Sequence, residues 1–200
     1  GSDGSVMVVL RDVTAREAAQ QQLADASRDL VVRLNENLAL QKKLAEEASR
    51  DHLTGLYNRR HASKIIPEFI ETNAPGRSIA FALIDLDHFK QVNDQFGHDI
   101  GDKVLMGFAD ILRDTMPAGG CAFRFGGEEF LVAMPGVDET EALIFAGRWR
   151  ARLANDAPML APGFRLTFSA GIAVFPRHGQ SLSACTKAAD VALKERLPLV

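Results

Sequence analysis

From Ala15 to about Arg50 the chain contains neither proline nor glycine, and Ala, Gln, Leu, Glu and Arg dominate the stretch. It is predicted as one continuous helix, about 50 Å long at 1.5 Å per residue. Thr14-Ala15-Arg16-Glu17 opens it with the Thr-x-x-Glu pattern that satisfies orphan amides at a helix start. Leu23, Leu30 and Leu44 recur every seven residues with Asn37 in the same series, and Ser27, Leu34, Gln41 and Ala48 fill the alternate positions. This is a coiled-coil seam, interrupted by polar residues that weaken it and specify pairing. A rotation by one residue yields a second seam, Ala24, Val31, Leu38 and Ala45, and neither dominates. Two readings follow: a parallel dimeric helix poised between two registers, or a rigid dimerising spacer.

The remaining 150 residues are of a different kind. With 46% hydrophobic residues overall, a chain of 200 can bury one good core and carry an accessory segment. A formal net charge of −3 supplies no broad basic surface, so nucleic acid is not the expected partner. No apolar run is long enough to cross a bilayer and none resembles a signal peptide, so a cytoplasmic protein without direct membrane contact is expected. Cys121 and Cys185 lack metal or redox spacing and read as small buried residues of a reduced compartment. Ahead of the helix, Gly1-Ser2 reads as a tag remnant. Val6 to Leu10 with Asp12-Val13-Thr14 is similar to the last strand and exit of a PAS sensor domain. The expected domains are therefore 1–14 as the end of an upstream sensor, which a membrane anchor could precede in a longer chain, 15–50 as the signalling helix, and 51–200 as a catalytic domain.

Within that last domain, Phe81-Ala82-Leu83-Ile84-Asp85-Leu86-Asp87 is a buried-strand run that ends in acids. Asp85 and Asp87 alternate by two and so project from one face at the strand's end, where ligands of open sheets tend to bind. Carboxylates on an apolar strand are costly unless paired or metal-bound. With no His/Cys cluster competing, such oxygen ligands suit Mg²⁺ bridging to phosphates better than Zn²⁺. Lys90 follows and could neutralise phosphate. Asn93 to Asp102 reads as a polar, glycine-punctuated loop, well supplied with groups to read a base edge, before a helix from Asp99 to Met116. Further on, Arg124-Phe125-Gly126-Gly127-Glu128-Glu129-Phe130 carries two carboxylates behind a glycine pair, between apolar runs, and is predicted as a hairpin tip. Adjacent strand residues face opposite ways, so Glu128 and Glu129 are not expected to share one task.

Asp51-His52-Leu53-Thr54-Gly55-Leu56-Tyr57-Asn58-Arg59-Arg60, the run from Ile84 to Asp102, and Arg124 to Phe130 together resemble the diguanylate cyclase, or GGDEF, domain in its GGEEF variant. The likeness extends from Asp51 to about Asp190. It implies a five-stranded palm-like sheet of α+β class covered by helices, as in class III nucleotidyl cyclases. The activity it implies is condensation of two GTP into cyclic di-GMP and two pyrophosphates, with two Mg²⁺ (or Mn²⁺) per half-site and a homodimer that joins two half-sites. An upstream sensor would regulate it through the coiled coil.

By the same resemblance Asp85, the carbonyl of Leu86 and Glu128 are metal ligands, and Glu128 accepts the hydroxyl proton. Glu129 is a further catalytic acid, either a second-metal ligand or a structural partner. Asn93 and Asp102 read guanine, Lys90 meets the polyphosphate, Phe89 lies nearby through its backbone, and His98 contacts substrate or serves as a structural hydrogen-bonder. Asp87 is either a ligand or a partner for Arg124. Two departures stand out. Many members carry Arg-x-x-Asp, a product-inhibition motif, where this chain has Pro117-Ala118-Gly119-Gly120, so feedback through that site is expected to be absent. The tail Lys194-Glu195-Arg196 replaces the family's Tyr-x-Ala-Lys-x-x-Gly-Arg-Asn, which puts GTP affinity in question and leaves a catalytically weak GTP-binding signalling module as the alternative.

The other elements expected are a helix from Arg59 to Thr72 capped by Asn58 and kinked or interrupted at Pro67, and a strand from Ser78 to Leu86. A helix from Asp138 to about Asn155, a strand from Arg165 to Phe175 and a helix from Leu182 to about Glu195 complete the order α-β-α-β-β-α-β-α.

Overall fold

The computed structural model describes residues 14–72 and 77–194, and side chains from residue 19 onward. The sensor-like segment before Thr14 and the tail from Glu195 lie outside the described residues. The described residues divide into two units, with the boundary between Ala48 and Ser49.

The first unit is helix α1, Thr14–Glu47. It stops short of Arg50 because the next residues are held by other partners. Asn58 N–H donates to the Ser49 carbonyl at 2.8 Å and Arg50 forms a β-bridge with Tyr57. Leu23, Leu30, Leu34, Leu38 and Leu44 are each more than half exposed, so both candidate seams present uncovered apolar side chains.

The second unit contains β1 (Tyr57–Asn58), α2 (Arg59–Thr72), β2 (Ile79–Leu86), α3 (Phe89–Phe96), α4 (His98–Thr115), β3 (Cys121–Arg124), β4 (Glu129–Pro135), α5 (Glu139–Leu160), β5 (Phe168–Phe175) and α6 (Leu182–Lys194). The five strands form one mixed sheet in the order β1-β3-β4-β2-β5, with β1 parallel to β3 and the other pairs antiparallel. This is the α+β, five-stranded arrangement that the family resemblance implies; the residue pattern alone gave four of the strands, without β1.

Strand β2 is an interior strand, paired along its length with β4 on one side and β5 on the other. Helices cover both faces, which is why it reads as an unbroken apolar run. Ala80, Ala82, Ile84 and Leu86 join Phe108, Leu112, Trp149 and Leu153 of α4 and α5 in one core cluster. Ile79, Phe81 and Leu83 join Ala62 and Ile66 of α2 and Cys185 and Ala189 of α6 in the other. Each large side chain so buried contributes about 1.5–3 kcal/mol relative to exposure, enough for a handful to fix both helical layers on the sheet. Phe108 meets Phe130 edge-on at 5.0 Å and Phe168 at 5.3 Å, tying α4 to two strands beside the acids.

Several local expectations are corrected. The stretch before Gly97 is a helix, α3, since Phe89 and Val92 give it a buried face. Only Gly97, at φ 84°, separates it from α4. Pro67 does not break α2. Pro67 and Ser63 are exposed, so water can satisfy the Ser63 carbonyl that the proline leaves without a donor. Helix α5 runs past Asn155 to Leu160, and it starts with the capping box of Asp138 and Glu141. Asn58 does cap α2, accepting from His61 N–H at 2.9 Å. Both cysteines are free, Cys185 buried and Cys121 half-buried, and burial pushes both thiols up. Among the described residues no helix is long and apolar enough to cross a membrane.

Candidate active site

The end of β2 and the β3–β4 hairpin bring the predicted acids to one place. Asp85 lies directly opposite Glu129 on β4 and Ser169 on β5. Register partners share a face, so Asp85 and Glu129 are two carboxylates set across an antiparallel pair, where a cation between them would offset their mutual repulsion. Leu86 N–H donates to the Glu128 carbonyl at 3.3 Å, which joins the hairpin tip to the strand end. Asp85, Glu128 and Glu129 are all half-buried. The Glu129 carbonyl accepts from Phe125 and Gly126 N–H at 2.7 and 3.1 Å. The Glu129 carboxylate folds over Gly126, where a Cβ would overlap it. A side chain at that position would force the Glu129 carboxylate to shift.

Asp87 departs from the expectation. Its carboxylate accepts from Thr167 Oγ1 and Ser169 Oγ, both at 2.7 Å, and its N–H donates to the Thr167 carbonyl at 2.9 Å. It is a brace between the β2 exit and β5, and its partner is not Arg124. The strand has ended at Leu86, so strand alternation no longer governs where Asp87 points. His88 then takes a left-handed conformation, φ 59° and ψ 24°, and turns the chain into α3. A non-glycine residue there stores of order 1–3 kcal/mol of backbone strain.

Helix α3 carries three of the predicted substrate residues. Phe89 is buried, so only its backbone is available to a ligand, while Lys90 is exposed and Asn93, one turn on, is half-buried. Lys90 and Asn93 share a helix face. His98 and Asp102 are four apart on α4, both exposed and again on one face. The two helices meet closely at Gly101: a Cβ there would overlap Asn93 Oδ1 and stand 3.2 Å from Phe89 Cζ. Gly101 thus sets where the Asn93 amide lies beside Asp102.

Arg124 holds the hairpin. Its Nε and Nη2 donate to the Gly127 carbonyl at 3.1 and 2.7 Å, and its Nη1 pairs with Asp51 at 3.1 Å. Asp51 also accepts from Thr54 N–H and Oγ1 at 2.9 and 2.7 Å. Burial works against the Asp51 charge, but the Thr54 hydroxyl and amide and the Arg124 guanidinium outweigh it and hold the carboxyl below its ordinary value. Arg59 lies over the Phe125 ring at 4.7 Å and supports the same loop. Sequence reasoning missed the Asp51–Arg124 pair, since nothing local signals a contact across 73 positions.

The model of the diguanylate cyclase, GGDEF domain, matches residues 48–197. This chain belongs to that family. Response regulator PleD of Caulobacter vibrioides is 34% identical over 188 residues, covering 90% of this chain and 41% of PleD. Probable diguanylate cyclase DgcC of Escherichia coli is 33% identical over 158 residues, covering 76% and 41%. The chain thus spans about two-fifths of the length of these relatives. Among solved structures, the coiled coil and GGDEF domain of DgcB from Caulobacter crescentus, in complex with c-di-GMP, superposes with a TM-score of 0.71 at 26% identity, over 88% of this chain and 93% of that one. Diguanylate cyclase SiaD of Pseudomonas aeruginosa, with its activator SiaC, gives 0.70 at 31% identity, over 92% and 72%.

In this GGDEF domain no group of three His, Cys, Asp or Glu side chains converges among the described residues. The groups near the end of β2, the Asp85, Glu128 and Glu129 carboxylates and the Leu86 carbonyl, all offer oxygen. That set fits a hard cation completed by substrate phosphates, the way Mg²⁺ is usually held. At the positions of the product-inhibition motif, Gly120 N–H donates to the Pro117 carbonyl at 2.9 Å, and a Cβ at Gly120 would run into the Met116 side chain. The turn is closed on itself and lacks both charged groups of the motif. At the tail, Lys194 pairs with Asp190 at 2.6 Å, one helical turn back.

Proposed function

We propose that this chain is a diguanylate cyclase that condenses two GTP into cyclic di-GMP with release of two pyrophosphates, as a homodimer in which each GGDEF domain contributes one GTP. The observation that carries the reading is the register pairing of Asp85 with Glu129 beside the Leu86–Glu128 backbone bond, next to the α3–α4 pair bearing Asn93 and Asp102. Asp85, the Leu86 carbonyl and Glu128 would hold divalent metal, Mg²⁺ or Mn²⁺, two ions per half-site. When bound, these ions compensate charge on the α-phosphate and the leaving pyrophosphate.

The chain's own residues do the rest. Glu128 takes the proton of the ribose 3′-hydroxyl as its oxygen bonds to the α-phosphorus of the facing GTP, and the bond to pyrophosphate breaks. Repeating this with the roles exchanged closes the ring. The Asp102 carboxylate accepts from guanine N1–H and N2–H, donors that adenine lacks, and Asn93 adds a second contact to the base edge. Lys90 offsets phosphate charge from the exposed start of α3, and the backbone amide of Phe89 adds a donor. His98 flanks the base site, and Glu129 either binds the second ion or supports the hairpin. One domain alone cannot place a nucleophile against its own GTP, so the exposed apolar seams of α1 are assigned to pairing two chains and to relaying the state of an upstream sensor.

A second reading, a catalytically weak GTP-binding module, draws support from the tail, where Lys194 is engaged by Asp190. Incubation with GTP and Mg²⁺ over a range of protein concentrations, beside Glu128→Ala and followed by anion-exchange analysis, tests the proposal. Cyclic di-GMP is expected from the parent and not the variant, with specific activity rising as dimer forms. GTP binding without product at any concentration would leave the second reading.

A further inference from the structure

A cavity of about 670 Å³, lined by none of the candidate metal, catalytic or substrate residues, lies between α5 and the 163–167 segment that leads into β5. Its α5 wall is made of small residues, Gly147, Ala151, Ala154 and Ala157, and the facing wall includes Phe164 and Leu166. Among the described residues its charged lining groups are two arginines. Arg150 lies over the Phe168 ring at 5.6 Å, while Arg165 is exposed. Apolar walls with two cations and no acid select a small organic anion with a flat apolar body, and the volume falls within the range of sites that enclose such ligands.

The same short segment grips α3 at both of its ends. Phe164 meets Phe96, the last residue of α3, edge-on at 6.1 Å. Thr167 holds Asp87, two residues before α3 starts, through its hydroxyl and its carbonyl. Arg165 and Leu166 stand between these two contacts. A ligand drawn in by Arg165 therefore acts on the segment that fixes α3, and α3 carries Lys90 and Asn93.

We propose that this cavity is a binding site for a small aromatic anion (carboxylate, sulfonate or phosphate), and that its occupancy alters GTP affinity through α3. The binding half stands by itself; the effect on GTP rests on the function proposed above. The probe is 8-anilinonaphthalene-1-sulfonate, followed by fluorescence on the full chain. Arg165→Glu reverses the charge, Ala154→Trp fills the cavity from an exposed helix position, and Arg60→Glu on α2, across the sheet, is the control.

Saturable binding of one probe per chain is expected, weakened roughly tenfold or more by Arg165→Glu, abolished by Ala154→Trp and unchanged by Arg60→Glu. Thermal denaturation of each variant shows that it is folded. Saturating GTP should shift the probe's affinity without displacing it, the reciprocal of the probe's effect on GTP. Equal probe binding by all four proteins, or full competitive displacement by GTP, would overturn the site. Site-specific probe binding that leaves GTP affinity unaltered would overturn the coupling, and a chain that binds the probe but makes no cyclic di-GMP would point to failure of the cyclase reading alone.

Discussion

Replacing Gly101 by alanine tests how the base-reading side chain is positioned. The added Cβ would overlap Asn93 Oδ1 and stand 3.0 Å from Asn93 Cγ and 3.2 Å from Phe89 Cζ. Asn93 ends in a rotatable amide and yields, while the Phe89 ring gives by a few tenths of an ångström. Crowding of this kind costs about 1 kcal/mol. Gly101 is in the first turn of α4, where alanine gains about 0.8–1 kcal/mol of helix propensity. The two nearly cancel, so the melting temperature should move by no more than a few degrees.

Affinity has no such offset. An Asn93 amide rotated away loses a hydrogen bond worth about 1–1.5 kcal/mol, which raises the Kd for GTP roughly five- to fifteenfold. Calorimetric titration with GTP in a Glu128→Ala background measures this without turnover. Repeating it with Asn93→Ala completes a double-mutant cycle. With Asn93 already truncated, Gly101→Ala should weaken GTP less than about twofold. An equal loss with and without Asn93, or a loss that follows unfolding, would refute the argument.

Asp51 is held below the ordinary carboxylate value, so its charge favours folding above about pH 4 and that contribution is lost as the pH falls through the lower, folded value. Denaturant unfolding at a series of pH values should show Asp51→Asn less stable than the parent at neutral pH and the two curves converging in acid; parallel curves would contradict it. Asn37→Leu should lock α1 into its first seam, changing both cyclase activity and the cross-linking of cysteines placed along the two seams. If neither moves, the spacer reading of α1 stands. Cyclic di-GMP added at saturating GTP should leave the initial rate unchanged, since the turn at Pro117–Gly120 has no charged group to hold it. Inhibition at micromolar product that disappears when Gly120 is altered would be the contrary result.

Much of the architecture was legible because its signals are local. The absence of breakers from Ala15 to Arg50, the apolar run of β2, the Asp138–Glu141 box and the glycine pair of the hairpin each act within a few residues. Helix α3 was not legible, because it is eight mostly polar residues followed at once by Gly97, and its short apolar face counts only once Phe89 and Val92 find α4 and the sheet. Nor was β1, two residues long, which is a strand only because β3 lies beside it.

The candidate acids were legible as well, since carboxylates at the end of an apolar run are costly and therefore conspicuous. Their partners were not. Asp87 reads as a ligand as readily as a brace, and only its hydrogen bonds to Thr167 and Ser169, some 80 positions away, distinguish the two. Apart from α3 and β1, the sequence by itself determined which elements form and which acids flank the sheet end, because period, propensity and the cost of a buried charge are properties of short stretches. The tertiary structure alone decided that Glu129 faces Asp85, that Arg124 anchors the hairpin to Asp51, and that Gly101 seats Asn93. Register and close approach between elements distant in sequence depend on the simultaneous packing of the whole core.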